Sequence, residues 1–103
     1  MGLTIRLETE RCEKIEGVDD VGDPHNILHR LLPSVDDSSF QCLRFIDWYG
    51  DTTFNALQIS TFITELERIA QNAKTYDEKI LLTRIKDLAE KVSTHTYLKF
   101  IGD

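Results

Sequence analysis

The chain has few cysteines, no long apolar run and no secretory signal pattern, and so lacks the features of secreted and membrane-anchored proteins. Its 103 residues include two cysteines, two prolines and one methionine. Two cysteines are too few for the disulfide framework of a small secreted domain. No apolar run approaches the roughly 20 residues of a membrane-spanning helix, and the first residues lack a secretory signal pattern. We therefore expect a cytoplasmic protein, with no membrane association, in which Cys12 and Cys42 are free thiols.

Positive charge is also scarce. Twelve lysines and arginines stand against 18 acidic residues, for a formal net charge of −6. Nucleic-acid binders and proteins attracted to anionic membranes need a basic face, so we expect neither partner. An acidic surface can dock on a basic protein, although acidity alone often serves solubility. The hydrophobic content of 41% is ordinary, and the length predicts a single domain over residues 1–103.

The densest aromatic stretch, residues 40–51, carries the main strand prediction. Its Leu-Arg-Phe-Ile core at 43–46 is echoed by Leu-Lys-Phe-Ile at 98–101. Apolar residues on both sides of a strand indicate burial on both faces. We therefore expect residues 42–46 to form a central strand and the final strand, 97–101, to lie at an inner position of the sheet. The pattern leaves open whether the two strands are neighbours. Alternating apolar residues predict a strand at 3–7, and a weaker pattern suggests a strand at 12–18. Residues 52–59 form either a return strand or an extended connection.

Three helices are predicted. Asp23 can cap a short helix that begins at Pro24 and stops before Pro33. A one-sided apolar stripe runs from 59 to 73, and Thr75 with Glu78 forms a capping box for a helix that extends to about residue 92. The short link makes the last two helices a hairpin. We predict an α+β two-layer domain: a four- to five-stranded, mainly antiparallel sheet packed against a helical hairpin, plus one short helix.

Candidate ligand-binding residues cluster after the predicted central strand. Asp47 and Asp51 bracket Trp48 and Tyr49, and Asn55 lies shortly beyond. Carboxylates beside aromatic rings can bind a polar ligand or share a proton for acid–base catalysis. The alternative is an ordinary turn, in which Asp51 hydrogen-bonds the turn backbone, Asp47 ends the strand, and the two aromatic residues cover the edge of the core. Turns use these residues routinely, so the alternative is favoured.

Arg44 and Lys99 occupy the same place in the two echoed segments. Like charges directly opposite each other destabilise a sheet. Either the two strands are not neighbours in that register, or an acidic residue such as Glu8 compensates. An anion that bridges the two cations is a third possibility.

His25 and His29 are four residues apart, a spacing that can present two imidazoles to one metal ion. The pair lacks the intervening glutamate of a metalloprotease helix, and a third ligand would have to come from Asp23, Cys12 or Cys42. The alternative is that both rings flank the apolar stripe of the short helix, which is the commoner arrangement.

Residues 44–55 and 97–103 together resemble a family of small bacterial proteins. That family combines a Phe-Ile-Asp-x-Tyr-Gly-Asp segment with a Phe-Ile-Gly-Asp ending, and this chain has Phe-Ile-Asp-Trp-Tyr-Gly-Asp and Phe-Ile-Gly-Asp. The similarity extends to residues 26–33 and to the later helices. The resemblance implies a bacterial cytosolic protein and implies no catalytic residues.

The leading functional hypothesis is a non-enzymatic protein-interaction or accessory module, for example an immunity-like protein. It depends on the acidic charge, the small size and the lack of a catalytic signature, and it implies no cofactor. The alternative is a small hydrolase or a metal- or ligand-binding enzyme that uses Asp47 and Asp51. A homodimer is also expected, through residues 97–101 if that strand lies at a sheet edge, or through a helical or loop surface.

Overall fold

A computed structural model describes residues 2–102 and contains one four-stranded sheet. The strands are β1 (Thr4–Thr9), β2 (Val21–Gly22), β3 (Asp51–Phe54) and β4 (Thr96–Ile101). Their order is β2-β1-β4-β3, and every neighbouring pair is antiparallel. With two α-helices, this arrangement confirms the predicted α+β class.

One face of the sheet is apolar because the strand sequences alternate. Ile5 lies opposite Phe100 and Leu7 opposite Leu98, and all four side chains are buried. Phe54 of β3 extends the same face, since it also lies opposite Leu98. The intervening residues of each strand point to the other face, which we call the outer face.

Two helices close the core. Helix α1 (Ile59–Ala70) buries Phe62, Leu66 and Ile69, and helix α2 (Tyr76–Ala89) buries Leu81, Ile85 and Leu88. The predicted capping box opens α2, because Thr75 Oγ1 accepts the Glu78 N–H and the Glu78 carboxylate accepts the Thr75 N–H. These apolar faces and the inner sheet face form one buried cluster. Within residues 2–102 no helix has the length and apolar character needed to cross a membrane.

The short helix predicted from Pro24 is instead a single 3₁₀ turn at Ile27–Arg30. The Asp23 carboxylate is buried and accepts the N–H groups of Ile27 and Leu28 at 2.8 and 2.9 Å. The prediction that this carboxylate accepts backbone N–H groups is confirmed. The predicted helix start at Pro24 is wrong, since Asn26 and not Asp23 is the cap residue of the turn. Asn26 has a left-handed backbone conformation, with φ at 54°, so regular helix cannot begin before it.

The predicted central strand at residues 42–46 is wrong. Leu43–Phe45 forms a 3₁₀ turn, and the segment pairs with no strand of the sheet. Its N–H groups point instead at the side chain of Glu65, a buried residue on α1. That carboxylate accepts the N–H groups of Cys42 and Leu43, both at 3.0 Å, and that of Gln41. A backbone held in this way has no donors left there for a strand ladder.

The predictions for residues 12–18 and 52–59 are partly right. Within residues 12–18 only Lys14 bridges β1, opposite Glu8, and the strand that pairs with β1 comes later, at β2. Residues 52–54 form most of β3, whereas the rest of the 52–59 segment turns into the start of α1. Cys12 is exposed, Cys42 is buried, and both are free thiols. Burial raises the pKa of the Cys42 thiol.

Candidate functional site

The two segments that carry the family resemblance meet in space. They join where the start of β3 pairs with the end of β4: Asp51 lies opposite Ile101, and the Gly102 N–H donates to the Gly50 carbonyl at 2.7 Å. A Cβ on Gly102 would lie 2.6 Å from the carbonyl oxygens of both Gly50 and Trp48. Only glycine allows this close backbone approach. Two distant stretches of sequence therefore build one local structure.

The residues at its tip, 47–51, form what we call the Tyr49 turn. The Asp47 carboxylate accepts the Tyr49 N–H at 2.9 Å, which is the hydrogen bond of an Asx turn. The Asp47 N–H donates to Thr52 Oγ1, also at 2.9 Å. The turn is thus fixed by Asp47 on one side and by Gly102 on the other. The predicted hydrogen bond from an aspartate to the turn backbone exists, but Asp47 makes it and Asp51 does not.

The two aromatic residues of the turn have different surroundings. Trp48 is half-buried and packs on the core, with its ring 5.3 Å from that of His29 in an edge-on arrangement. Tyr49 is 84% exposed. The prediction that both rings cover the edge of the core is right for Trp48 and wrong for Tyr49. A large aromatic side chain is therefore presented to solvent on a rigid backbone.

Asn55 has a structural role at the start of α1. Its Oδ1 accepts the N–H groups of Leu57 and Gln58 at 2.9 and 3.1 Å, and Gln58 Oε1 accepts the Asn55 N–H at 2.9 Å. This reciprocal pair satisfies orphan donors as a capping box does. It also holds Leu57 outward, with 90% of its surface exposed.

Lys99 and Asp51 belong to a chain of ion pairs on the outer face. Lys99 Nζ lies 3.5 Å from Glu8 and 3.4 Å from Asp51, so Glu8 supplies the predicted compensation. The Arg6 hydrogen bond holds the pKa of the Asp20 carboxyl below its usual range. Positive and negative side chains alternate along this row of ion pairs, which consists of Lys14, Asp20, Arg6, Glu8, Lys99 and Asp51.

Arg44 is not part of that chain. Its guanidinium lies 4.4 Å over the Phe45 ring and donates to the Val35 carbonyl at 3.2 Å. Because Arg44 belongs to a 3₁₀ turn and Lys99 to β4, the two cations are not opposed in the sheet. The first two explanations therefore both apply: the two cations are not opposed in the sheet, and Glu8 pairs with Lys99. Neither cation needs an anion that bridges them.

Among the residues that the structure describes, the histidine pair belongs to no group of three metal-ligating side chains. His25 and His29 are both exposed, and His29 contacts Trp48. Across residues 2–102 there is no group of three or more His, Cys, Asp or Glu side chains that could hold a metal ion. Asp23, one of the suggested third ligands, already accepts two backbone N–H groups.

Sequence reasoning missed the exposed apolar residues on either side of the Tyr49 turn. Phe45 is 53% exposed, although its place in the predicted central strand implied burial, and Val35 is 59% exposed. Leu57, two residues before α1 begins, is a further exposed apolar residue. No periodic pattern marks these residues, because they lie in turns. Val35 and Phe45 are neighbours, because Arg44 donates to the Val35 carbonyl and lies over the Phe45 ring. Contiguous exposed apolar side chains commonly mark interaction sites.

Comparison with known proteins yields no relative. No protein-family model matches the chain, and neither a curated protein nor a solved structure does. The resemblance to the small bacterial family therefore stays a prediction, and the interpretation of the site depends on its geometry.

Proposed function

We propose that the protein is a cytoplasmic, non-enzymatic protein-interaction module that binds its partner through the Tyr49 turn. The observation that carries this proposal is the 84% exposure of Tyr49 on a turn whose backbone is fixed by Asp47 and Gly102. It deepens the interaction hypothesis by naming the surface.

The physical reason is the low cost of binding through such a residue. A tyrosine offers a large apolar area and a polar hydroxyl while it loses few rotamers. Ordering a mobile loop would oppose binding, but the backbone of this turn is already held by hydrogen bonds on both sides. Aromatic anchors of this kind often supply most of the binding free energy of an interface.

Charge indicates the kind of partner. Residues 34–58, which contain the turn and three other exposed apolar residues, hold four aspartates and one arginine. Opposite potentials across an interface speed encounter and suppress wrong partners. A partner with basic residues around an apolar pocket fits this surface best.

No observation favours the enzymatic alternative. Asp47 is engaged with the backbone of its own turn, and Asp51 is paired with Lys99. Within residues 2–102, neither carboxylate belongs to a group of three or more His, Cys, Asp or Glu side chains that could hold a metal ion.

The test compares two exposed tyrosines. Tagged wild-type protein, Tyr49→Ser and Tyr76→Ser are used to capture partners from cells that naturally make the protein. Tyr76 is the matched control, since it is 77% exposed but opens α2. We expect the same protein to be recovered with the wild type and Tyr76→Ser, and at least tenfold less with Tyr49→Ser, the size of effect typical of an anchor residue.

Equal recovery with both variants would contradict the proposal, as would no recovery above an untagged control. Thermal unfolding of the two variants should match that of the wild type, because exposed side chains contribute little to stability.

A further inference from the structure

Strand β3 has one open edge. It pairs with β4 alone in the part of the chain that the structure describes. The bond from the Gly102 N–H to the Gly50 carbonyl identifies these two residues as a hydrogen-bonded pair. Since such pairs alternate along an antiparallel ladder, Thr52 and Phe54 direct their peptide groups toward β4. Asp51 and Thr53 direct theirs away from the sheet.

This edge differs from the opposite one. The other outer strand, β2, has only two residues, so it offers little backbone to a partner. The β3 edge carries two donors and two acceptors and lies between two exposed apolar residues, Tyr49 before the strand and Leu57 after it. An extended chain laid along β3 can therefore gain backbone hydrogen bonds in the middle and apolar contacts at both ends.

We propose that the partner adds an extended segment to β3 as a fifth strand of the sheet. This inference rests on the proposed function, because it specifies how the same surface binds. Main-chain hydrogen bonds give affinity in such strand addition, and alternate side chains give specificity. The segment carries a lysine or arginine, since Asp51 lies on the outer face of β3 with 54% of its side chain exposed.

A second copy of this chain fits the edge poorly. Two-fold pairing of β3 with itself would place two copies of Asp51, each with 54% of its side chain exposed, on the same outer face of the extended sheet. Charged residues on an edge strand commonly prevent this kind of self-pairing. Asp51 is paired with Lys99 on one side only and keeps half of its side chain exposed, so it favours a basic partner over a second copy.

The inner position of β4 removes one of the predicted routes to a dimer. Its two edges are occupied by β1 and β3, so the predicted homodimer cannot form through residues 97–101. The prediction that this strand lies inside the sheet is confirmed, but its neighbours are β1 and β3 and not residues 42–46.

A displayed library of random heptapeptides tests the inference without a known partner. Peptides selected on the wild type are synthesised and measured against Thr53→Pro, Thr53→Ala and Tyr49→Ser. Proline at position 53 removes an outward N–H and leaves the ladder to β4 intact, whereas alanine keeps that N–H. We expect basic peptides that bind the wild type and Thr53→Ala alike and bind Thr53→Pro at least tenfold more weakly.

Amide hydrogen exchange of the wild type with a selected peptide gives a second measurement that needs no variant. Strand addition should slow exchange at Asp51 and Thr53, whose N–H groups face the added strand, more than at residues on the helices. Hydrogen exchange therefore tests whether the peptide adds to β3 even if Thr53→Pro does not fold.

The outcomes separate this inference from the proposed function. Binding that needs Tyr49 but tolerates Thr53→Pro, with no slower exchange at Asp51, overturns strand addition and leaves the Tyr49 interaction standing. Binding that needs the Thr53 N–H but tolerates Tyr49→Ser overturns the role of Tyr49 and leaves strand addition standing. A library that yields no basic peptide overturns the inference, and so does a dimer in light scattering of the protein alone that Thr53→Pro abolishes.

Discussion

Two segments of nearly the same sequence adopt different structures in this molecule. Leu-Arg-Phe-Ile at 43–46 includes a 3₁₀ turn, whereas Leu-Lys-Phe-Ile at 98–101 lies in the inner strand β4. The leucines, at positions 43 and 98, are both buried. The phenylalanines differ most: Phe100 is 1% exposed and Phe45 is 53% exposed.

The neighbours of each segment explain the difference. Residues 98–101 lie between β1 and β3, which accept and donate the hydrogen bonds of a ladder. The N–H groups of residues 41–43 meet the Glu65 carboxylate instead. The lesson is that one buried side chain, distant in sequence, can replace strand pairing as the partner of a backbone segment.

The largest expected effect comes from shortening the two equivalent phenylalanines. Phe100→Ala should lower the free energy of unfolding by about 3–5 kcal/mol, because it leaves a cavity in the core. Phe45→Ala should lower it by less than about 1 kcal/mol, because half of that ring is already in water. Urea denaturation of both variants measures the difference, and equal losses would show that Phe45 is buried as the echo predicted.

The next effect concerns the carboxylate that holds residues 41–43. Glu65→Ala should cost about 2–4 kcal/mol, because two buried N–H groups lose their acceptor. Glu65→Gln is the matched control: it keeps one acceptor oxygen and a similar shape, so its loss should be smaller. Hydrogen exchange should accelerate at Leu43 but not at Leu98. A uniform acceleration at both would mean that Glu65 stabilises the whole fold and not this segment.

The smallest expected effect is a loss of stability in acid that comes from Glu78. Like Glu65, this residue holds a backbone segment with its carboxylate. Glu78 accepts the N–H groups of Lys74 and Thr75 and contacts Arg30, and these bonds lower its pKa to about 2. A lowered pKa in the folded state stabilises the protein above the ordinary pKa of about 4.5, and this contribution is lost as the pH falls from there toward 2.

Urea midpoints measured between pH 7 and pH 2.5 should therefore fall with acid, and Glu78→Gln should flatten the curve below about pH 4.5. Tyr49→Ser, which removes no titrating carboxylate, should keep the wild-type slope. An unchanged slope for Glu78→Gln would assign the acid sensitivity to other groups, such as Asp20.

Periodicity and capping chemistry were enough to predict most of the fold. The α1 stripe, the Thr75–Glu78 capping box and the alternation of β1 are local patterns, and each appears where it was expected. The candidate site was predicted only in part. The turn at residues 47–51 was recognised, but the exposure of Tyr49 was not, because exposure depends on what packs nearby.

The order of the strands could not be read from the sequence either. The echo indicated that both segments are buried in a sheet but did not say which strands are their neighbours, and β4 pairs with β1 and β3. Strand pairing joins residues nearly a hundred positions apart, such as Thr4 and Ile101, and no local pattern encodes that choice.

The sequence by itself determined the α+β class, the start of α2 set by its capping box, and the alternation that gives the sheet one apolar face, because each depends on residues within a turn or two of one another. Only the tertiary structure decided the fate of residues 43–46, the contact between Gly102 and the Tyr49 turn, and the open edge of β3. The physical reason is the same for all three. A backbone N–H can be satisfied by a strand, by a carboxylate or by solvent, and the partner that is available depends on which distant residues the folded chain brings close.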